Sequence, residues 1–545
     1  MPSLVLGPIL RYLGEREATL WVETDSGCRV SVLGASAPTF EVEGHHYALV
    51  HVTGLDPGAA HPYSVELDGE CAWPAGSKFP PSVIRTLERS SRVRLVFGSC
   101  RIALPHEPPY TCPQAEDRRG HGIDALRALA LRMAGAAPDT WPDALLMLGD
   151  QIYADDLSPT LLAATEGRTH RGSPRKELAS FSEYALAYRE AWSEPAIRWL
   201  LSTVPTMMVF DDHEIHAEWK ISQAWADEIH SQPWYERRVT DGLMAYWLYQ
   251  HLGNLTPEEL AHSELFARVR GAGDAGSVLR GFARDADRQA GASRWSFCRD
   301  LGSSRLVVID SRAGRELTPG RRRMIGEAEW EWIERQASGD FDHLLLASSV
   351  PFLLGHALHY LEAWNEAVCD GAWGALAARL GERIRRAAVL DHWASFQHSF
   401  RRLAELLRAV VGGELGRPPD SVVLLSGDVH HSYLAEIGFP AGTRSQGAAW
   451  QAVCSPYRKE LRTREKLSMR FGNSRTGAAI GRLLDRLVGV PQPSIGWRLA
   501  EDPSYENHVA TLDLGPGEVV LSVETTAGSG WRAPRLRTEF ERRLV

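Results

Sequence analysis

Several short apolar runs in this chain are each followed at once by side chains able to hold a cation or move a proton. Gly98-Ser99-Cys100-Arg101 follows residues 94–97, and Gly149-Asp150-Gln151-Ile152-Tyr153-Ala154-Asp155-Asp156 follows 144–148. Asp211-Asp212-His213-Glu214 follows 206–210, Asp310-Ser311-Arg312 follows 305–309, and Ser426-Gly427-Asp428-Val429-His430-His431 follows 422–425. A single Asp after a strand is an ordinary turn residue. A coordinated set of such endings, with Cys, Tyr and His among them, points instead to one ligand-binding edge, because α/β folds bind ligands beyond the carboxyl ends of their strands.

Carboxylates, an imidazole, a phenol and a thiol that converge on one point repel or lose solvation without a cation. A cation removes that cost and lowers the pKa of Tyr153 and Cys100 until they bind as anions. Thiolate and phenolate suit a trivalent, polarisable ion such as iron; carboxylates suit calcium, magnesium or manganese. Asp150 shared by two cations would make a two-metal hydrolase site. Gly149 lets the backbone turn sharply before Asp150. In an extended segment Asp428 and His430 share one face, with His431 on the other. Asp155 and Asp156 are either a helix N-cap pair or further ligands. Asp211 to Glu214 form a run of acids and a histidine that is costly to bury without a partner.

The elements that must position these residues fall into two stretches. Residues 1–88 alternate apolar and polar positions in short runs at 18–23, 29–33, 47–52 and 63–67, separated by turn residues, which predicts a small β-sandwich. The phrase Val52-Thr53-Gly54-Leu55-Asp56-Pro57-Gly58 before Tyr63 resembles a fibronectin type III module. From residue 92 to 545 continuous apolar strands, including one at 343–347, alternate with helical patterns at 123–133, 182–201, 327–336 and 394–411. That is an α/β catalytic domain whose strands are buried on both faces. A hairpin is predicted from 508–514 and 519–523. Residues 441–500 show little periodicity.

Composition excludes other classes. Hydrophobic residues make up 44 % and charged residues 24 % of 545, so the chain is neither disordered nor fibrous. A net charge of −9 gives no bulk attraction to nucleic acid. The seven scattered cysteines contain no C-x-x-C pair, which argues against a disulfide framework or a zinc knuckle. The start, Met1-Pro2-Ser3-Leu4, carries no positively charged n-region, and no apolar run reaches the ~20 residues that span a bilayer. A cytoplasmic location is therefore expected, or a secreted or periplasmic one if an export signal is missing from this sequence. Only Trp21 and Trp73 of 18 tryptophans lie in residues 1–88, too few for an aromatic polysaccharide-binding row.

Taken in order, the motifs resemble those of the alkaline phosphatase D (PhoD-like) family of metallophosphatases across roughly residues 90–437. The resemblance implies a four-layer α/β/β/α metallophosphoesterase domain that hydrolyses phosphate mono- or diesters through a metal-bound hydroxide. It implies ferric iron held by Cys100, Asp150, Tyr153 and His430. A second cation, calcium with manganese or magnesium as alternatives, would use Asp150, Asp212 and Asp428. His213 would stand beside the phosphoryl group to protonate the leaving oxygen or stabilise charge, and Arg101 or Arg312 could clamp the phosphate. Where the family often has an acid directly after the motif tyrosine, this chain has Ala154. Residues 160–180, with Arg168, His170, Arg171, Arg175 and Lys176, are a candidate lid. Competing expectations are a phosphodiesterase for nucleotide, phospholipid or cell-wall polymer substrates, and a non-catalytic binding protein stabilised by its metals.

Overall fold

In a computed structural model the described residues are 1–545 except 75, 89–91, 167–173, 175, 290, 441–446, 463–465, 467–468, 470–471 and 473. Part of the candidate lid, with Arg168, His170, Arg171 and Arg175, lies outside them.

The N-terminal stretch is all β. Leu4–Leu13, Glu17–Thr24, His45–Thr53 and Phe40–Val42 form one antiparallel sheet; Arg29–Val32, Ala35–Pro38, Val65–Leu67 and Glu70–Trp73 form a second. Leu20, Val22, Ala48 and Val50 fill the space between the two. The alternate residues Trp21 and Tyr47 point out of the sandwich into the helical core that follows, as a period-two strand requires.

The remainder is built on two mixed sheets. The first runs Thr206–Met208, Ala144–Met147, Val93–Gly98, His508–Gly515, Glu518–Thr525 and Arg537–Arg543; the second runs Phe297–Leu301, Ser304–Ile309, His343–Ser348, Ser421–Ser426, Ala448–Val453, Ser432–Gly438 and Gly496–Ser504. Each strand feeds two cores. Leu306 and Val308 join Leu95, Phe97, Leu146, Val423 and Leu512 between the sheets. Val307 and Ile309 of the same strand, with Val96, Leu145 and Leu346, pack under helices. The result is the expected helix–sheet–sheet–helix stack. The strands at 93–98, 144–147 and 206–208 are mutually parallel, as are those at 304–309, 343–348 and 421–426.

Three sequence expectations need correction. The helix expected over 182–201 is two, Phe181–Trp192 and Pro195–Thr203, because Glu194 accepts from the backbone N–H groups of Ala196 and Ile197 and Pro195 starts a new helix. Residues 441–500 contain the strands Ala448–Val453 and Gly496–Ser504 and the helix Arg475–Val488. Residues 428–430 are not extended: Asp428 has φ +63° and His430 φ +51°. Among the described residues no helix is long and apolar enough to cross a membrane.

Candidate metal centre

The loops after the parallel strands interlock through backbone contacts that only small residues permit. The Cys100 N–H donates to the Gly149 carbonyl at 3.3 Å, and the Asp428 N–H to Ser99 Oγ at 2.9 Å. A Cβ on Gly427 would lie 2.2 Å from Ser99 Oγ. Gly149 has φ +108°, and a Cβ there would lie 2.6 Å from the Asp211 side chain. Cys100 (φ +55°), Asp150 (φ +51°), Asp428 and His430 are all left-handed. Such backbone is costly away from glycine and persists where the surroundings over-determine it, typically at functional sites.

This geometry brings two donor sets together. Ligand atoms of Cys100, Asp150 and His430 lie within 4.8 Å of one another, as do those of Asp150, Asp211 and Asp428. Asp150 belongs to both. Its carboxylate is fully buried, and neither oxygen has a hydrogen-bond partner. The Tyr153 hydroxyl beside it and Asp211 Oδ2 are likewise buried and unpartnered. Burial, with Asp150, Asp428 and Asp211 adding, pushes the Cys100 thiol well above its ordinary pKa. Burial also raises Tyr153, Asp150 and Asp211, and it pushes Asp428 up to about 7 against the pull of Arg312. Burial and then Lys459 hold His430 neutral. Each donor is thus driven from its charged form, chiefly by burial, and orphaned acceptors line the cluster. The residues fit one or two cations and are costly without them.

The other expected site residues stand around this cluster in different ways. Asp212 lies in a turn capped by Asp211, and its Oδ1 accepts from the His213 N–H at 3.0 Å and its Oδ2 from the Glu218 N–H at 2.8 Å. His213 Nδ1 meets Asp155 Oδ1 at 2.7 Å. Burial opposes its charging, but the carboxylates of Asp155, Asp150 and Asp212 hold its pKa well above the ordinary value. Asp155 is therefore the partner that orients His213 and also accepts from the Ala217 N–H; the cap of the following helix is Ser158.

Both arginines are buried and bonded within the protein. Arg101 is buried, with Nε on Asp124 at 2.8 Å and Nη1 on the Ala191 carbonyl at 2.6 Å. Arg312 places Nε on Asp211 at 2.6 Å, Nη2 on Asp428 at 2.9 Å and Nη1 on Asp391. It holds the second carboxylate set in place.

Besides Asp211, which stands in the second donor set, two residues at the site were not anticipated. His392 Nδ1 meets Glu362 Oε1 at 2.7 Å while Nε2 stands 3.9 Å from Asp428 Oδ2. Lys459 lies 3.6 Å above the Tyr153 ring centroid and pairs with Asp156 at 3.0 Å. His392 follows no strand and Lys459 lies in the loop after the strand Ala448–Val453, which the sequence did not reveal, so no signal marked them beyond the adjacent acid–histidine pair Asp391-His392.

Comparison with known proteins yields consistent matches. A family model described as PhoD-like phosphatase matches residues 127–480, and a domain of unknown function, DUF7800, matches residues 1–84. A solved structure of PhoD is 13 % identical, with a TM-score of 0.59, 98 % of this chain covered and 89 % of that one. Purple acid phosphatase PPD1 from yellow lupin (Lupinus luteus) seeds is 11 % identical, with a TM-score of 0.47 and coverage of 98 % and 73 %. No curated protein matches the chain.

Proposed function

The chain belongs to the PhoD-like phosphatase family and is a metal-dependent phosphoric ester hydrolase, and from that premise we propose that it cleaves phosphate mono- and diesters at the cluster centred on Asp150. The observation that carries this reading is the fully buried Asp150 carboxylate, shared by two donor sets with neither oxygen hydrogen-bonded. Cys100, Tyr153, His430 and Asp150 would hold ferric iron. Asp150 and Asp428, with Asp211 and Asp212 alongside, would hold a divalent cation, calcium foremost and manganese or magnesium next. When bound, the cations neutralise phosphate oxygens and acidify water next to phosphorus.

The chain's own residues do the rest. Asp155 fixes the His213 ring through Nδ1, so Nε2 is the atom that carries a proton toward the ester's leaving oxygen. Arg312 spreads its fork over Asp211 and Asp428, aims both carboxylates and opposes the rise in pKa that burial imposes on them. Lys459 adds positive charge on the Tyr153 side.

Metal analysis and visible spectroscopy test the assignment. The purified protein is expected to contain iron with a thiolate or phenolate charge-transfer band, plus a divalent cation. Asp150→Ala should lose both ions and hydrolysis of aryl phosphate and bis-aryl phosphate. Cys100→Ala should lose iron and colour but keep some divalent binding. Parental metal content in Asp150→Ala, or stoichiometric zinc without colour, would overturn it.

A further inference from the structure

Seven of the nine large hydrophobic side chains exposed among the described residues lie on or beside two helices remote in sequence. The helix Ala375–Ala387 exposes Leu376 (81 %) and Leu380 (58 %), with Trp373 just before it; the helix Arg475–Val488 exposes Ile480, Leu483 (57 %) and Leu487 (60 %). Positions 376 and 380, and 480, 483 and 487, are the i, i+3/i+4, i+7 spacings of a single helix face.

Both helices pack on a third, His356–Cys369, which turns His359, Glu362, Ala363 and Glu366 inward. Gly481 of one helix abuts Tyr360 and Ala357, and Gly381 of the other abuts Val368 and Cys369. On the helical wheel those contact positions occupy the half facing away from the core. The two helices therefore flank the outer side of this third helix, and their exposed leucines point away from it.

The polar residues beside the leucines have one sign. Arg379 and Arg383 are exposed on the face of Leu376 and Leu380, Arg482 and Arg486 are exposed on the flank of the second face, with Arg482 over the Tyr360 ring, and none makes an ion pair among the described residues. The acids of the two helices are turned away: Glu382 pairs with Arg385 and accepts from Ser222, and Asp485 is buried. This local positive field stands on a chain of net charge −9.

We propose that the outer faces of helices Ala375–Ala387 and Arg475–Val488 form a docking surface for an anionic lipid bilayer, on which the molecule lies without spanning it. Leucines flanked by arginines match acyl chains under anionic headgroups. Charge selects this occupant over a second copy: a two-fold contact of the patch with itself would set arginines against arginines. The negative charge of the rest of the molecule limits contact to this face. The proposal is independent of what the metal centre hydrolyses.

Sedimentation of the full chain with phosphatidylcholine vesicles, and with vesicles that carry about 30 % phosphatidylglycerol, tests this. Binding is expected to the anionic vesicles, at least about tenfold weaker to phosphatidylcholine alone, and reduced by salt. The double variants Leu376→Glu/Leu380→Glu and Leu483→Glu/Leu487→Glu should each lose about tenfold or more in affinity, with an unchanged thermal midpoint because these side chains are exposed. The quadruple variant Arg379→Gln/Arg383→Gln/Arg482→Gln/Arg486→Gln, which leaves every apolar contact in place, should lose the preference for anionic vesicles. No binding to anionic vesicles, or parental binding by the leucine variants, would overturn the proposal. So would a parental dimer that the leucine variants convert to monomer, since the face then belongs to a second copy.

Discussion

His213 is held by geometry that separates chemistry from ligation. Its Nδ1 is committed to Asp155 at 2.7 Å, and it follows Asp212 in a tight turn capped by Asp211. The same turn uses Glu214, which accepts from the N–H groups of Gln151 and Asp211 and so ties two site loops together. A histidine whose one nitrogen is spent on a carboxylate offers the other to substrate, and a positioned acid contributes ~10²–10⁴-fold in rate. His213→Asn is expected to lower kcat by that order with metal content retained. Asp155→Asn, which keeps the shape but removes the charge, should lower kcat in the same direction and shift the basic limb of the pH–rate profile. Titration of metal into His213→Asn during hydrolysis of an aryl phosphate decides the matter. Recovery to the parental rate at saturating metal would make His213 a support for the ligands and not an acid.

At the scale of elements, the helix His356–Cys369 shows how a buried carboxylate can serve a neighbour. Glu366 Oε2 accepts from the Gln397 N–H at 2.8 Å, at the start of a helix whose own N-cap, Phe396, has no side chain able to do so. Burial, only partly offset by Arg322, raises the Glu366 carboxyl to about 7. The folded chain thus holds this proton more tightly than the unfolded one, whose carboxyl titrates near ~4.3. The stability so gained is full below that pH and is lost as pH rises through about 7. Glu366→Gln keeps an acceptor and cannot ionise, so it should be more stable than the parent by ~1–3 kcal/mol at pH 8 and close to it at pH 5. Denaturant unfolding across that range reads the difference, and parallel pH profiles would refute it. The strands were legible in the sequence because two-faced burial leaves unbroken apolar runs and their ends carry the ligands. Pro195 after Ser193-Glu194 was a legible helix start that the apolar periodicity across it concealed. The turn at Asp428 and His430 was not legible, since it depends on the hydroxyls of Ser99 and Ser455 from distant strand ends. Nearly every residue in the helices Tyr235–Tyr246 and Trp247–His251 is buried, including Arg238, Thr240, Asp241, Gln250 and His251, so polarity there does not mark an exposed face.

Over the whole molecule, the N-terminal sandwich supplies none of the clustered donors, all of which follow residue 99, yet it is joined tightly to what carries them. Arg11 is buried and donates to the Tyr249 carbonyl at 3.1 Å, to Asn254 Oδ1 at 3.0 Å and to the Gln250 carbonyl. Tyr47 and Glu23 both meet the Tyr249 hydroxyl at 3.0 Å. From there the Gln250 side chain reaches Glu214 at 3.0 Å, the residue that ties the metal-site loops. Residues 1–88 thus brace the catalytic part, taken as 92–545, from the side of the helical segment Trp247–His251, and among the described residues they contribute none of the clustered donors. Loss of the Arg11 side chain strands several buried acceptors at once, which costs ~2–4 kcal/mol. Arg11→Ala is therefore expected to lower the unfolding midpoint while iron and divalent content at 25 °C stay parental. A chain that begins at residue 92 should bind the same metals and unfold at still lower denaturant, with Tyr249 and its neighbours newly exposed. Metal content and denaturation midpoints measured on both separate two roles for the sandwich. If the Arg11→Ala protein remains folded but loses its metals, the path through Gln250 and Glu214 sets the geometry of the centre, and the sandwich is part of the active-site scaffold and not its support.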